Sequence, residues 1–449
     1  MCDTTSEHVR PLVIVATDFD ASAHGQPGLP ELPIELSDYI LDNLWNDRRT
    51  LEACSLVCRT WLPTTRLHLF HALSLSGRHE VSHLESTLHG RLPTIPDFTR
   101  YIRSLSLVSI YPLEDWLGPT LPSSFQQLGH IRHLRLTRFT PTCFEWQPVV
   151  EELAVLFPDI SELCLEDIRM DEPRRLRHML SAFPALSALK VTSGIWLSNA
   201  SQFATIRRHW VDELESDLPQ VLGDEVLESG TSVDVKRMVQ IRKLELGHGL
   251  YNDATALLLL NAPFQLRALE QARISWTYIR DSALPIFTSF LAKCAETVMD
   301  LQIMLNGYTS REPLLNALRA LQFPELRTLH FGIVHLPGGI PDMRWIPAML
   351  RSLQNNSTNI QQIKLSLNIA GLDSLGVLSW RDIDAQLSAL AEQFMGFTLS
   401  IVVTSCLDEV LVRADVVEDI KNRLEHAREL LGEERLEVTC PQENDIFWT

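Results

Sequence analysis

The 449-residue chain has no apolar run long enough to span a bilayer. Its first apolar stretch, Leu12 to Ala16 after Pro11, is also too short for a secretory leader, so none is expected. Cysteine is sparse and scattered: eight residues, at Cys2, Cys54, Cys58, Cys143, Cys164, Cys294, Cys406 and Cys440, with no C-x-x-C pair. That excludes a disulfide framework and fits a reducing compartment, cytoplasmic, nuclear or both. Cys54 and Cys58, one helical turn apart, are expected to be packing residues. No phosphate loop, no G-x-S-x-G elbow and no recognisable Cys–His pairing is present, so no phosphoryl- or acyl-transfer motif stands out. Positive charge is short as well. Lys and Arg number 39 against 57 Asp and Glu, a net charge of −18 that argues against a general nucleic-acid binder. Hydrophobic residues make up 45% of the chain, which leaves material for a sizeable core.

What is present is a repeat. Leu or Ile, two variable residues, an apolar residue, one variable residue and another apolar residue recur as Ile102-Leu105-Leu107, Ile131-Leu134-Leu136, Ile160-Leu163-Leu165 and Leu186-Leu189-Val191. The pattern resumes as Ile241-Leu244-Leu246, Leu269-Ala272-Ile274, Val298-Leu301-Ile303, Leu326-Leu329-Phe331 and Ile360-Ile363-Leu365. First residues are spaced 29, 29, 26, 55, 28, 29, 28 and 34 apart. Apolar residues two apart share one face of a strand, so each pair is expected to point into a continuous core and its neighbours outward. A fixed period of this length predicts stacked units.

The pattern resembles the leucine-rich repeat, L-x-x-L-x-L-x-x-N, over roughly residues 100 to 370 and on toward 440. The resemblance implies a β-strand-plus-helix solenoid with a parallel sheet. The signature Asn appears only at Asn306 and Asn368; elsewhere its place holds Ile110, Phe139, Ile168, Gly194, Gly249, Thr277 or Val334. Those turns must be built differently, so uneven curvature is expected. Between Val191 and Ile241 lie nearly two periods, expected to hold a degenerate repeat or an insertion (195–240) with a helix over Phe203–Val221. The acids Asp224, Glu225 and Glu228 there read as a solvated face.

Upstream, residues 32 to 61 read LPIELSDYILDNLWNDRRTLEACSLVCRTW. Pro33 suits a first helical turn, and Leu36, Ile40 and Leu44 fall on one face. Leu51, Cys54, Ser55 and Cys58 form a second short face, with Val57 and Trp61 beside it. So small a helical module is expected to dock on something. The segment resembles the F-box. Leu32, Pro33, Glu35, Ile40 and Leu44 match the first half of its pattern, and Leu51, Val57, Cys58, Arg59 and Trp61 the second. Leu69-Phe70 and Leu73-Leu75 fit its closing helix and exit strand. The link from Leu44 to Leu51 is longer than the commonest form and looks like the version frequent in fungal F-box proteins. The resemblance implies a substrate-recognition subunit of an SCF-type cullin ubiquitin ligase, without a catalytic site or cofactor of its own. Leu32, Pro33, Ile40, Leu44, Leu51, Val57 and Trp61 would form or support the surface for a Skp-type adaptor, and through it a cullin. A non-catalytic scaffold acting outside ubiquitination is the alternative, and a helical cap on the solenoid is a further role for the module.

The solenoid would receive an unknown protein substrate on its outward strand positions, centred on Arg135, Lys190, Lys243 and Arg273. Around the nine apolar pairs these positions carry five bases, with Lys364 the fifth, and the four acids Glu162, Glu166, Glu245 and Asp300, alongside His133 and His330. On so acidic a chain, that face is comparatively basic. The competing expectation places recognition in the 195–240 insertion. No nucleic acid, membrane or metal is expected as a partner.

One motif points to other chemistry. His79-Glu80-x-x-His83 matches the zinc-protease pattern, and His89 stands where a third ligand would sit. That longer pattern needs Gly where Ser86 stands, so the stretch reads instead as a surface helix with His83, Leu84 and Leu88 on its apolar edge. A zinc metalloprotease is the alternative.

The full expected order is a structureless segment 1–28, an F-box 29–76, a connector helix 77–100, a solenoid 101–440 and a tail 441–449. Within the solenoid, a strand over Phe397–Val403, a helix over Asp415–Leu431 ended by Gly432, and a strand over Arg435–Thr439 would supply two closing units.

Overall fold

The computed structural model describes residues 33–90, 98–109, 121–139, 146–169, 173–196, 239–247, 255–256, 259–260, 264–277, 284–306, 312–336, 343–356, 359–369, 372–405 and 410–441. Leu32, the segment 1–28, Phe203–Val221 and the acids near Asp224 lie outside them. The chain divides into two compact units, Met1–Leu69 and Phe70–Thr449.

The first unit is helical. α1 (Ile34–Asn43) follows Pro33, whose carbonyl accepts from the amides of Leu36 and Ser37 at 3.0 and 3.1 Å. Pro33 is thus the residue before the helix rather than its first turn. α2 (Arg48–Cys54) is capped by Asp47, whose carboxylate accepts the Thr50 amide at 3.0 Å and the Thr50 hydroxyl at 2.6 Å. Those bonds hold the Asp47 carboxyl below its usual range. α2 stops sooner than the apolar spacing predicts. The amides of Leu56 and Val57 bond three residues back, to Ala53 and Cys54, tightening and ending the helix. α3 (Leu62–Phe70) is pinned to α1 by the Thr64 hydroxyl on Asp38 at 2.6 Å and by His68 on Asp42 at 2.8 Å.

The second unit is mixed α/β, built on a parallel sheet of twelve strands. They are β1 (Ala72–Leu75), β2 (Ser104–Val108), β3 (His133–Thr137), β4 (Glu162–Arg169) and β5 (Ala188–Trp196). Next, β6 (Val239–Gln240) and β8 (Phe264–Gln265) pair separately, flanking β7 (Lys243–Leu246) in the chain. The main sheet continues through β9 (Gln271–Thr277), β10 (Asp300–Asn306), β11 (Thr328–Leu336), β12 (Gln362–Ile369), β13 (Thr398–Ser405) and β14 (Leu436–Thr439). Main-sheet neighbours in space are neighbours in the chain throughout, so the units stack in sequence order.

All nine apolar pairs read from the sequence fall in one register. Leu105 stands beside Leu134, Leu134 beside Leu163, and so on through Leu189, Leu244, Ala272, Leu301 and Leu329 to Ile363. Leu73 extends this row at one end, and Leu399 and Leu436 at the other. The side chains of this row belong to one buried cluster running from Leu75 to Leu436, except Leu73, which is partly buried and packs against it. Each strand entry is tied to the next by a shared carbonyl. The His71 carbonyl accepts the amides of both Arg103 and Ser104, and the Arg103 carbonyl those of Arg132 and His133. The same two-donor joint repeats through Arg327, whose carbonyl takes Gln361 and Gln362, with lengths of 2.7 to 3.1 Å. Both lone pairs of each carbonyl are thereby used.

β5 pairs directly with β7, Lys190 beside Glu245. Residues 197–238, on which the expected degenerate repeat or insertion falls, lie outside the described residues. Turns without the signature Asn have their own construction. Arg138 and Asp167 adopt left-handed backbone, at φ 60° and 51°, directly before Phe139 and Ile168. Those two apolar side chains turn inward and are buried. A break in register between Glu166 and Ile168, and another between Phe331 and Val334, mark the uneven joints.

Helices and 3-10 turns return the chain between strands. α4 (Arg78–His89) buries Val81, Leu84 and Leu88, leaving His83 exposed and off the apolar edge. α5 (Trp146–Leu156), α6 (Pro173–Ser181), α7 (Leu284–Ala295), α8 (Glu312–Ala320) and α9 (Trp345–Asn356) follow. Strand and helix meet through aromatic contacts such as Trp276 against Phe287 at 4.9 Å and Phe331 against Trp345 at 5.6 Å. At the end come α10 (Trp380–Gln393), α11 (Val410–Arg423) and α12 (Glu425–Arg435). The expected single helix over Asp415–Leu431 is two helices broken at Leu424, although Val416, Ile420, Leu424, Ala427 and Leu431 are all buried as one stripe. The break is sealed from α10. Buried Asp384 accepts the Ala427 amide and the His426 ring Nδ1, both at 2.9 Å. Gly432 (φ 66°) has non-helical backbone and separates two helical pieces within α12, so the helical run from Glu425 to Leu431 ends there as expected.

Asp384→Ala removes this cap and leaves the Ala427 amide unsatisfied, with an expected loss of about 2 kcal/mol in denaturant unfolding. Asp384 also holds the His426 imidazole above its ordinary value. That part of the stabilisation is present below pH ~6.5 and fades as pH rises through the raised pKa. Unfolding curves at acid and alkaline pH should therefore show the gap between parent and Asp384→Ala narrowing with pH. A gap that widens contradicts the assignment.

Candidate binding surfaces

α1 is apolar on more than one side. Ser37 and Leu41 are buried and Leu44 is half-buried, yet Ile34, Leu36, Tyr39 and Ile40 are exposed, Tyr39 by 67%. A helix apolar on two faces needs two covers. The turn after α2 repeats the situation, with Leu56 83% and Val57 64% exposed, and Trp45 lies exposed after α1. So many large apolar groups exposed together are unusual on a surface that faces only water.

The seven residues expected at the adaptor surface divide by burial. Pro33, Ile40 and Val57 are exposed, Leu44 and Trp61 are half-buried, and Leu51 is buried at 1% exposure. Leu51 can therefore support such a surface only from within. Leu32 lies outside the described residues. Cys58 is not a packing residue of a helix. It is exposed beyond the end of α2, with Sγ 3.0 Å from the Thr60 hydroxyl, which lowers its thiol pKa. Cys54 is half-buried.

In the second unit the outward rows of the sheet form a hollow of about 670 Å³ spanning β2 to β9. Arg135, Lys190, Lys243 and Arg273, separated by up to 138 positions in the sequence, all line it. Register explains the meeting: Arg135, Cys164, Lys190, Glu245 and Arg273 occupy one lateral row of adjacent strands.

The four cations are not equivalent. The Arg135 guanidinium is bonded to Glu166, which also accepts the Thr137 hydroxyl at 3.2 Å. The bond raises the Arg135 pKa and holds the Glu166 carboxyl below its usual range. Lys190 reaches Glu245 at 2.7 Å. Lys243 and Arg273 have no acidic side chain at ion-pair distance among the described residues, and neither does Lys364 farther along. The count of bases and acids along the sequence misses this division. Aligning the units reveals part of it, because Lys190 and Glu245 stand at directly opposed register positions.

Cys164 lies between Arg135 and Lys190, but burial pushes its thiol up, which keeps it from acting as a ready nucleophile. Beyond the hollow the row continues through Gln302 and His330 to Lys364. Burial first, then the charges of Lys364 and Arg273, push the His330 imidazole down to about 4. Its Nε2 lies 2.8 Å from the Ser366 hydroxyl.

His79, Glu80 and His83 sit exposed on α4. The Glu80 carboxylate accepts the Ser76 amide ahead of the helix, and His89 Nδ1 lies 2.7 Å from the Glu85 carbonyl. Among the described residues no three His, Cys, Asp or Glu side chains come together as a metal site, and no helix is long and apolar enough to cross a membrane. No family model matches the chain, and no curated protein matches it.

The His330 ring is expected to stay neutral at pH 6 and to titrate near pH 4 in an NMR experiment. Because its folded pKa lies below the unfolded value, its linkage lowers stability as pH falls from about 6.5 toward that titration point. Lys364→Gln should raise the midpoint. An unchanged midpoint means that the ammonium does not act on the ring.

Proposed function

We propose that this chain is a substrate-recognition subunit of an SCF-type cullin ubiquitin ligase. In this reading residues 29–76 are an F-box that binds a Skp-type adaptor, and the β-α units that follow are leucine-rich-repeat-like and receive the protein to be modified. The observation that carries it is the helical unit's surface. Ile40 and Val57, at F-box pattern positions, are exposed beside Tyr39, Trp45 and Leu56, while Leu51 is buried beneath. Burying such aliphatic and aromatic groups on an adaptor supplies the anchors that dominate protein interfaces. Support for the second half is the register of the apolar pairs and the sequential parallel sheet. Such a receptor does no covalent chemistry. It raises the local concentration of substrate lysines near the ubiquitin-loaded enzyme.

The outward sheet face, with Arg135, Lys190, Lys243 and Arg273, is the substrate surface in this reading. A stack of units presents side chains along an extended face, as repeat proteins use for binding.

The test is a pull-down with a purified Skp-type adaptor. Leu56→Glu with Val57→Glu changes two exposed positions, so the fold should persist by circular dichroism while adaptor affinity falls about 30-fold, the loss of about 2 kcal/mol from a good anchor. A parent chain that fails to bind the adaptor, or a double variant that binds as tightly as the parent, removes this reading.

A further inference from the structure

The outward face of the sheet changes character along its length. From β3 to β5 its cations are paired with acids of the same face, Arg135 with Glu166 and Lys190 with Glu245. From β7 to β12 the cations are left over. Lys243 stands at the entry end of β7, and Arg273, Gln302, His330 and Lys364 occupy one lateral row on four adjacent strands. Two acids share this stretch: Glu245 is ion-paired with Lys190, while Asp300, at the entry end of β10, accepts the neutral Gln271 amide at 3.4 Å and keeps its charge, leaving the cations in excess by two. The row then passes to Ser400, which is uncharged. The region therefore holds three cations without ion-pair partners among the described residues, on a chain whose net charge is −18.

We infer that the outward rows of β7 to β12 are an anion site, in which Lys243, Arg273 and Lys364 take the carboxylates of an extended acidic segment of a partner protein. The spacing suits such a segment. Strands about 4.8 Å apart put β7 and β12 about 19 Å from each other, the reach of roughly six extended residues. Alternate side chains of the segment would face the sheet and meet the cations. Gln302, His330 and the Ser366 hydroxyl lie between or beside the cations and offer neutral polar groups to backbone or carboxylate. The acidity of the rest of the chain does not forbid this, because salt screens charges beyond roughly 10 Å. A protein ligand fits better than a nucleic acid. The outward positions of β7 to β12 carry no Phe, Tyr or Trp on which a base could stack, and three cations are few for a phosphate backbone. The identity of the ligand as a protein segment rests on the substrate-receptor reading; the unmatched charge does not.

The test uses the full chain and a fluorescein-labelled oligoglutamate peptide, followed by anisotropy at low ionic strength, with an oligoglutamine peptide and a single-stranded oligonucleotide as comparisons. Oligoglutamate should bind, weaken as salt rises, and lose about tenfold in affinity on Lys243→Gln, Arg273→Gln and Lys364→Gln together, the sum of three partly screened contacts. Lys293→Gln with Arg319→Gln, on α7 and α8, should change affinity no more than about twofold, because these cations lie on the helices and already stand at 3.0 and 3.8 Å from Glu296 and Glu312. Equal losses from the two sets of substitutions, no binding of oligoglutamate, equal binding of oligoglutamine, or tighter binding of the oligonucleotide would each overturn the inference. Adaptor binding is measured on the same preparations. If the adaptor is not bound but the peptide is, with the stated selectivity, the ubiquitin-ligase reading falls and the anion site stands.

Discussion

A single β-α unit of this protein is too short to enclose its own apolar pair. Leu134 and Leu136 are buried because Leu105 and Leu107 lie on one side of them and Leu163 and Leu165 on the other. Everything in the second unit depends on that mutual cover. It fixes the register, since a slip of one residue would turn each apolar pair outward. It makes the strand-entry carbonyls line up so that each binds two amides of the next unit. It also brings Arg135 and Arg273, 138 positions apart, to one face.

The face that results is ordered by the same constraint. Whether a charge on it is free or consumed is decided by what stands one strand away, not by its neighbours in the chain. Lys190 is consumed because Glu245, which stands between it and Arg273, reaches toward Lys190 at 2.7 Å. Arg135 is consumed diagonally, by Glu166. His330 stays neutral chiefly because it is buried, and then because Lys364 and Arg273 stand on its two sides. A sheet built from many similar units thereby acquires regions of different electrostatic character without any change in backbone.

Much of this architecture was legible in the sequence, because period-two apolar pairs report burial directly. Leu189 and Val191 could be placed inward from the alternation alone, and the strands near Phe397 and Arg435 were visible in the same way. Other features were hidden for identifiable reasons. The break at Leu424 leaves the stripe from Val416 to Leu431 intact, so side-chain spacing does not betray it; the cap that permits it, Asp384, is 43 positions from Ala427. The left-handed turns at Arg138 and Asp167 lack the Gly that would have announced them. Cys58 lies beyond a helix end set by backbone bonds to Ala53 and Cys54, which no residue pattern encodes. Of the site, the positions of the four cations on one face were legible. The difference between paired and unpaired cations was not, since it appears only once the strands are set side by side.

The direct pairing of β5 with β7 has a consequence for how such a protein can change over evolutionary time. The strands before and after the long segment meet as if nothing separated them. The register across this joint is set by the two strands themselves, Ala188 to Val191 against Lys243 to Leu246. These two stretches are therefore inherited as a matched pair, because a change of one residue in the length of either strand turns its apolar pair to the other face of the sheet.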